Sequence, residues 1–287
     1  LNQIRAGKLG SILSHTNFQN KITMQRVATR ETRLGIPILF GFDVIHGYKT
    51  IFPIPLAQAA TWEPDLIERI EHIAAEEAAA NGQHWTFAPM VDISRDPRWG
   101  RVMEGSGEDP YLGSKIAAAR VRGFQGNDLA ANNTVAACAK HFAAYGFAEG
   151  GRDYNTVDMS EQRLRELILP PFQSAADAGI ATFMNAFNTL NGVPASMNKH
   201  LVTDILRGEW KWKGMVVSDW NSFGETMIHG AASDEVDASA KCLSAGSDMD
   251  MESEAYRGHL GALVKAGQAD AAQVDDAVRR VLRKKFE

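Results

Sequence analysis

The chain has 287 residues, with 30 Lys and Arg against 35 Asp and Glu, a formal charge of −5, 45% apolar residues and 23% charged ones. That balance excludes disorder and a fibrous repeat, and it allows one large α/β domain or two small ones with a full core. Mild acidity argues against nucleic acid as the main partner, because phosphate binding needs a basic surface.

In chain order, short apolar runs bounded by Gly, Pro or polar clusters predict strands at 10–14, 36–44, 86–93, 135–142, 180–188, 214–220 and 247–251. Helices are expected between them. The segment 64–80 opens on Pro64, suited to a first turn, and carries Leu66, Ile70, Ile73 and Ala74 on one face. Segment 114–124 follows the same logic with Ile116, Ala119 and Val121. Segment 160–179 opens on Ser160 as a polar cap and ends on Gly179. Segments 234–245 and 270–286 complete the set.

Strand–helix alternation implies a parallel sheet with helices outside. About seven units at spacings of ~35–45 residues fit a (β/α)8 TIM-like barrel better than an open doubly wound sheet. The open sheet would carry a Gly-rich phosphate turn after an early strand, and the sequence has none. It has no Walker loop and no cysteine-based metal pattern. Cys138 and Cys242 are too few for a disulfide scaffold and are expected as small buried hydrophobes. No apolar run reaches the roughly 18 residues of a membrane span. The opening LNQIRAGKLGSIL lacks both an initiator Met and the apolar core of a signal peptide, which suggests a mature or trimmed form.

Polar residues gather at the C-terminal ends of the predicted strands. Asp43 and His46 follow PILFGF, Asp92 follows FAPMV and Lys140–His141 follow VAACA; Asn185 and Asn188 follow ATFM, and Ser218–Asp219–Trp220 follow GMVV. In a barrel these ends share one rim, where active sites lie.

Five segments in register resemble glycoside hydrolase family 3, especially its bacterial periplasmic β-glucosidase branch. They are GFDVIHG (41–47), TFAPMVDISRDPRWGRVMEGSGEDPYL (86–112), KHFAAYGFAEGGRDYNTVDMS (140–160), FMNAFNTLNGVPAS (183–196) and GMVVSDW (214–220). The resemblance runs through essentially the whole chain and implies one TIM-barrel-like catalytic domain over 1–287, incomplete at its start. The activity implied is that of a retaining exo-acting β-glycosidase on β-glucosides or oligosaccharides, with no metal or organic cofactor. Asp219 matches the family's nucleophile. Residue chemistry agrees: a carboxylate at the end of a buried strand can attack a sugar carbon and form an ester. Asp43 matches the Asp that grips the outer hydroxyls of the non-reducing sugar. Lys140, His141 and Arg101 match donors to ring hydroxyls, and Arg152 is a further candidate. Trp220 is expected to line the leaving-group site through stacking. Met184 and Phe187 stand where the family often has Met and Tyr, so a phenol is missing at Phe187. Arg95, Asp96 and Arg98 read as a structural ion-pair network.

Retaining hydrolysis needs a second carboxyl about 5–5.5 Å from the first. Glu104, Glu108, Asp109 and Glu149 are the in-chain candidates for this proton donor. In the β-glucosidase branch the resemblance implies an acid on a second α/β domain after the barrel. The Asp–His pair of the N-acetylglucosaminidase branch has no counterpart, because the loop 146–158 contains no His. The expected proton donor therefore lies outside this chain, on a second domain or a partner copy. Periplasmic or secreted location follows from the resemblance alone. The alternatives are a β-xylosidase or broad-specificity relative, a Schiff-base aldolase using Lys140, and a non-catalytic sugar-binding barrel.

Overall fold

The computed structural model describes residues 1–287 as an α/β barrel. Strands β1 (Ser11–Leu13), β2 (Leu39–Phe42) and β3 (Trp85–Thr86) pair in parallel, as do β4 (Cys138–Phe142), β5 (Thr182–Asn185) and, later in the chain, Met215–Val217. A short antiparallel hairpin, β6 (Thr189–Leu190) with β7 (Val193–Pro194), intervenes, so Met215–Val217 is β8. Bridges Trp85–Ala136 and Met90–Lys140 join β3 to β4, and Val217–Met249 adds a seventh parallel position. The result is an incomplete (β/α)8 barrel. It is open between β1 and Met249, where Ser11, Leu13, Met249 and Met251 line a gap of about 100 Å³.

The predicted strand at 86–93 shrinks to Trp85–Thr86 and the bridge at Met90. Pro89 has no N–H to give to a ladder. The segment instead accepts: Ala88 and Pro89 carbonyls take the Cys138 and Lys140 amides at 2.8 and 3.1 Å. The predicted strand at 247–251 is one bridge at Met249.

The helices are α1 (Asn2–Arg5), α2 (Phe18–Arg30), α3 (Pro55–Ala59), α4 (Pro64–Ala80), α5 (Pro110–Gln125), α6 (Glu161–Arg163), α7 (Leu169–Asp177), α8 (Ser222–Ile228), α9 (Glu235–Ala245), α10 (Ala255–Lys265) and α11 (Ala271–Phe286). A π-helical stretch, Leu164–Ile168, fuses α6 to α7, and another spans His200–Glu209. Ser160 caps this fused helix by accepting the Arg163 amide, and Gly179 stops it with a φ of 83°. Sequence periodicity missed α1, α2, α3, α8, α10 and the π-helical His200–Glu209. Helix α2 buries only Lys21, Val27 and Ala28, too few apolar positions to form a readable stripe.

In α4 the buried stripe is Ile67, Glu71, Ala74, Ala75 and Ala78, while Ile73 is exposed. The small residues win this face because α5 comes close. At Gly123 a Cβ would stand 2.5 Å from the Glu68 carbonyl oxygen and 2.7 Å from the Glu71 Cβ. Glu71 is sealed there beside Arg120 at 3.4 Å, and Arg120 also donates to Gln58 at 2.9 Å. Burial pushes the Glu71 carboxyl up to about 7 against the pull of Arg120. A folded-state pKa above the unfolded one means that stability falls as pH rises from the normal carboxyl range through about 7. Arg120→Met removes the only cation and drives that pKa higher. The variant is expected to lose about 3–5 kcal/mol above pH 8 and less at pH 5, read as a Tm gap that widens with pH.

Candidate active site

Alternation along the strands sets the rim. Leu39, Trp85, Phe87, Cys138, Met184, Met215 and Val217 form one buried cluster inside the barrel, whereas Ala139, Phe183 and Val216 face the outer core with the helices. On a strand, every second residue shares a face. Two steps past Cys138 is Lys140, and two past Val217 is Asp219. Two past Gly41 is Asp43, and Gly41 itself faces inward: a Cβ there would meet the Phe87 ring at 2.7 Å. The three inward columns therefore end in an acid, a base and an acid at one mouth. His141 would face outward by this rule. A bulge corrects it: Ala139 pairs with Phe183 but Phe142 with Asn185, three steps on β4 against two on β5.

The side chains meet as follows. Lys140 Nζ donates to Asp43 Oδ1 at 3.1 Å and lies 4.0 Å from Glu104 Oε2. Arg101 donates to both oxygens of Glu104, at 2.7 and 3.0 Å, and its guanidinium lies 5.6 Å from the Tyr145 ring centre. Asp219 Oδ1 accepts the Trp220 amide at 2.6 Å; Oδ2 has no hydrogen-bond partner and stands 3.4 Å from His141 Nε2. On the other side of the ring, His141 Nδ1 lies 2.8 Å from Asp92 Oδ2, which also accepts the His141 amide at 2.9 Å.

Burial pushes Asp219 up to about 6, while Lys140, the Trp220 amide and Arg101 hold it from going further. At pH 7 it is therefore still mainly an anion, the charge state in which a carboxylate can attack an electrophilic carbon. Burial also raises Asp92 to about 7, opposed by the His141 amide, Arg101 and Lys140. The His141 ring is driven well below its usual value by burial, then by Arg101 and Lys140. Burial alone would lower Arg101, but its bonds with Glu104, the Glu104 charge and then Asp219 outweigh that and lift it above its ordinary value.

The aromatic residues form the wall. Phe187 is buried, 6.4 Å from the His141 ring centre and edge-on to Tyr154 at 4.7 Å. Trp220 is 52% exposed, so core packing does not account for it. Met184 is buried in the apolar cluster inside the barrel, on the strand β5 that pairs with β4. Arg152 is exposed and forms no ion pair with the cluster. Asp96 pairs with Arg98 at 2.7 Å, whereas Arg95 is exposed and stands outside that pair.

Two of the in-chain acid candidates have other work. Glu104 is held by Arg101, and Asp109 caps α5 by accepting the Leu112 amide at 2.7 Å. Glu108 and Glu149 are exposed. Sequence reasoning left out Asp92 as a site residue and did not find Glu225. Glu225, on α8, is raised to about 7 by burial, then by the charges of Asp219 and Asp153. Its signal was its place on the helix that directly follows Asp219. No group of three or more His, Cys, Asp or Glu side chains is arranged to hold a metal ion. A cavity of about 400 Å³ at the opposite end, lined by His84, Lys284 and Lys285, is separate from this cluster.

The family profile "Glycosyl hydrolase family 3 N terminal domain" matches residues 2–284. The chain is 44% identical over 284 residues to the periplasmic beta-glucosidase of Salmonella typhimurium, covering 99% of this chain and 37% of that protein. It is 37% identical over 302 residues to a beta-xylosidase of Formosa agariphila, with 97% and 42% covered. It superposes on the crystal structure of beta-glucosidase from Listeria innocua in complex with glucose with a TM-score of 0.93 at 43% identity, covering 96% of this chain and 39% of that one. The chain thus spans well under half the length of these relatives.

Proposed function

The chain belongs to glycosyl hydrolase family 3, and from that premise we propose that it forms the catalytic barrel of a retaining, exo-acting β-glycosidase. Its substrate is a terminal β-D-glucosyl residue. One observation carries the reading: a buried, anionic Asp219 lies at the barrel mouth under the charges of Lys140 and Arg101, with Asp43 held across the mouth by Lys140. Asp219 attacks the anomeric carbon, the bond from that carbon to the leaving oxygen breaks, and a glycosyl ester forms. Water then cleaves the ester, releasing the sugar and restoring the carboxylate. Asp43 accepts hydrogens from the outer hydroxyls, while Lys140, His141 and Arg101 donate to ring hydroxyls. Trp220 and Tyr154 offer aromatic faces to the leaving group, and Phe187 shapes the wall without a phenol. Arg152 is a more remote contact.

The leaving oxygen needs a proton, and we assign its donor to a group outside these 287 residues, on a following α/β domain or another chain. The engagement of Glu104 and Asp109 supports this assignment. Likeness to the periplasmic Salmonella enzyme supports action in the periplasm, and no helix is long and apolar enough to cross a membrane. The Formosa relative keeps a β-xylosidase as the second reading; Asp43 favours the hexose, whose outer hydroxyls it can clasp.

A 2-deoxy-2-fluoro aryl glucoside tests the reading. A mass gain confined to the peptide bearing Asp219 is expected, and intact protein mass with no adduct rejects it. Aryl glucosides with good leaving groups need little protonation and are expected to turn over at least about tenfold faster than cellobiose. Equal rates on the two would place the acid inside this chain.

A further inference from the structure

His141 is hemmed between two carboxyl groups. Asp92 Oδ2 lies 2.8 Å from Nδ1 and Asp219 Oδ2 lies 3.4 Å from Nε2. Neither His141 Nε2 nor Asp219 Oδ2 has a hydrogen-bond partner, and both atoms are sealed from solvent. A neutral imidazole carries a single N–H. With both carboxyls ionised and the ring neutral, one ring lone pair would point at an anionic oxygen where water cannot screen it. One additional proton removes that conflict.

The surroundings say on which side it sits. Asp92 is buried, and its Oδ2 accepts the His141 amide at 2.9 Å, leaving that oxygen one direction toward the ring. Burial raises Asp92 and depresses the His141 ring, and both directions favour the proton on the carboxyl oxygen over an imidazolium. Asp92 Oδ2–H then donates to Nδ1, and the ring hydrogen resides on Nε2. We propose that Asp92 is a positioning residue for the chemistry at Asp219: it holds a proton on the Nδ1 side of His141, so that the ring presents Nε2–H to Asp219 and to a sugar hydroxyl bound there. The proposal rests on the reading of Asp219 as nucleophile. The same donor faces the Asp219 carboxylate before attack and receives it again when water cleaves the ester.

The other groups facing this chain come from three elements. Arg101 and Glu104 lie on the turn before α5, Lys140 on β4 and Asp43 after β2, while Tyr145 stands edge-on to the ring at 5.0 Å. Arg101 and Lys140 oppose protonation of Asp92, and Glu104 favours it.

The test follows the ring nitrogens of His141 by NMR in the full chain labelled with 15N-histidine, assigned by the signals lost in His141→Gln. At pH 6.5 the wild-type protein is expected to show a protonated Nε2. A bare Nε2 with the hydrogen on Nδ1 overturns the proposal, and this reading does not depend on any Asp92 variant folding. In Asp92→Asn the carboxamide oxygen must keep accepting the His141 amide, so it also faces Nδ1 and takes the ring hydrogen. The expected results are a switch of the hydrogen to Nδ1 and a fall of about 100-fold in the rate of labelling by the fluoro glucoside. A folded Asp92→Asn with unchanged tautomer or unchanged labelling rate also overturns it. Absence of wild-type labelling together with the expected tautomer overturns the nucleophile assignment instead.

Discussion

Asp219→Asn is expected to lower turnover of an aryl β-glucoside by at least about 10³-fold, equivalent to roughly 4 kcal/mol of barrier. The amide keeps the shape and the contact with the Trp220 amide, but it carries no charge and cannot form the ester. The fold should not suffer. Burial raises the Asp219 pKa to about 6, above the unfolded carboxyl range, so in the native protein this group takes stability away as pH rises through that window. The neutral amide has no such penalty. At pH 8 the variant is expected to melt at or above the wild-type Tm while turnover and fluoro-glucoside labelling collapse. Retained turnover would move the nucleophile elsewhere; collapse together with a large drop in Tm would mean only that the mouth had been broken.

Asp43, Lys140 and Asp219 were legible in the sequence for a physical reason. Each ends an apolar run on the inward parity of its strand, so strand period and strand end together place all three at one mouth. His141 was legible only with the bulge in β4, which lets neighbouring residues share the mouth. Asp92 stood in view as a strand-end residue, but its work is done 49 positions along the chain, on the far side of an imidazole. No local pattern encodes that contact. Glu225 was hidden likewise, because the field that raises it comes from Asp219 and Asp153 through space. Among the helices, the face of α4 was misread because apolar size was weighted over close approach. Ile73 was expected inside, yet the ridge of Ala74, Ala75 and Ala78 is what α5 and the core can reach.

Lys140→Met is expected to separate two roles of one ammonium group by their pH dependence. The first is contact. Lys140 is buried and bonded to Asp43, and a charged hydrogen bond lost to a sugar hydroxyl is worth about 1.5–3 kcal/mol. That loss predicts a fall of about 10–100-fold in kcat/KM at pH 8, where Asp219 is ionised in both proteins. The second is electrostatic. Lys140 is the charge that most strongly opposes the burial-driven rise of Asp219 from its ordinary value to about 6. Without it the Asp219 pKa climbs further, by about one unit or more for a cation at this range. At pH 6 a smaller share of the nucleophile is then anionic, so kcat/KM should fall by about a further fivefold or more beyond the pH 8 loss. The acid limb of the kcat/KM profile should therefore move toward higher pH. Methionine fills the space of the lysine stem without its charge, so the buried site keeps an apolar filling. Equal losses at pH 6 and pH 8, with no movement of the acid limb, would leave Lys140 as a hydroxyl donor alone and require Arg101 to be the cation that keeps Asp219 charged.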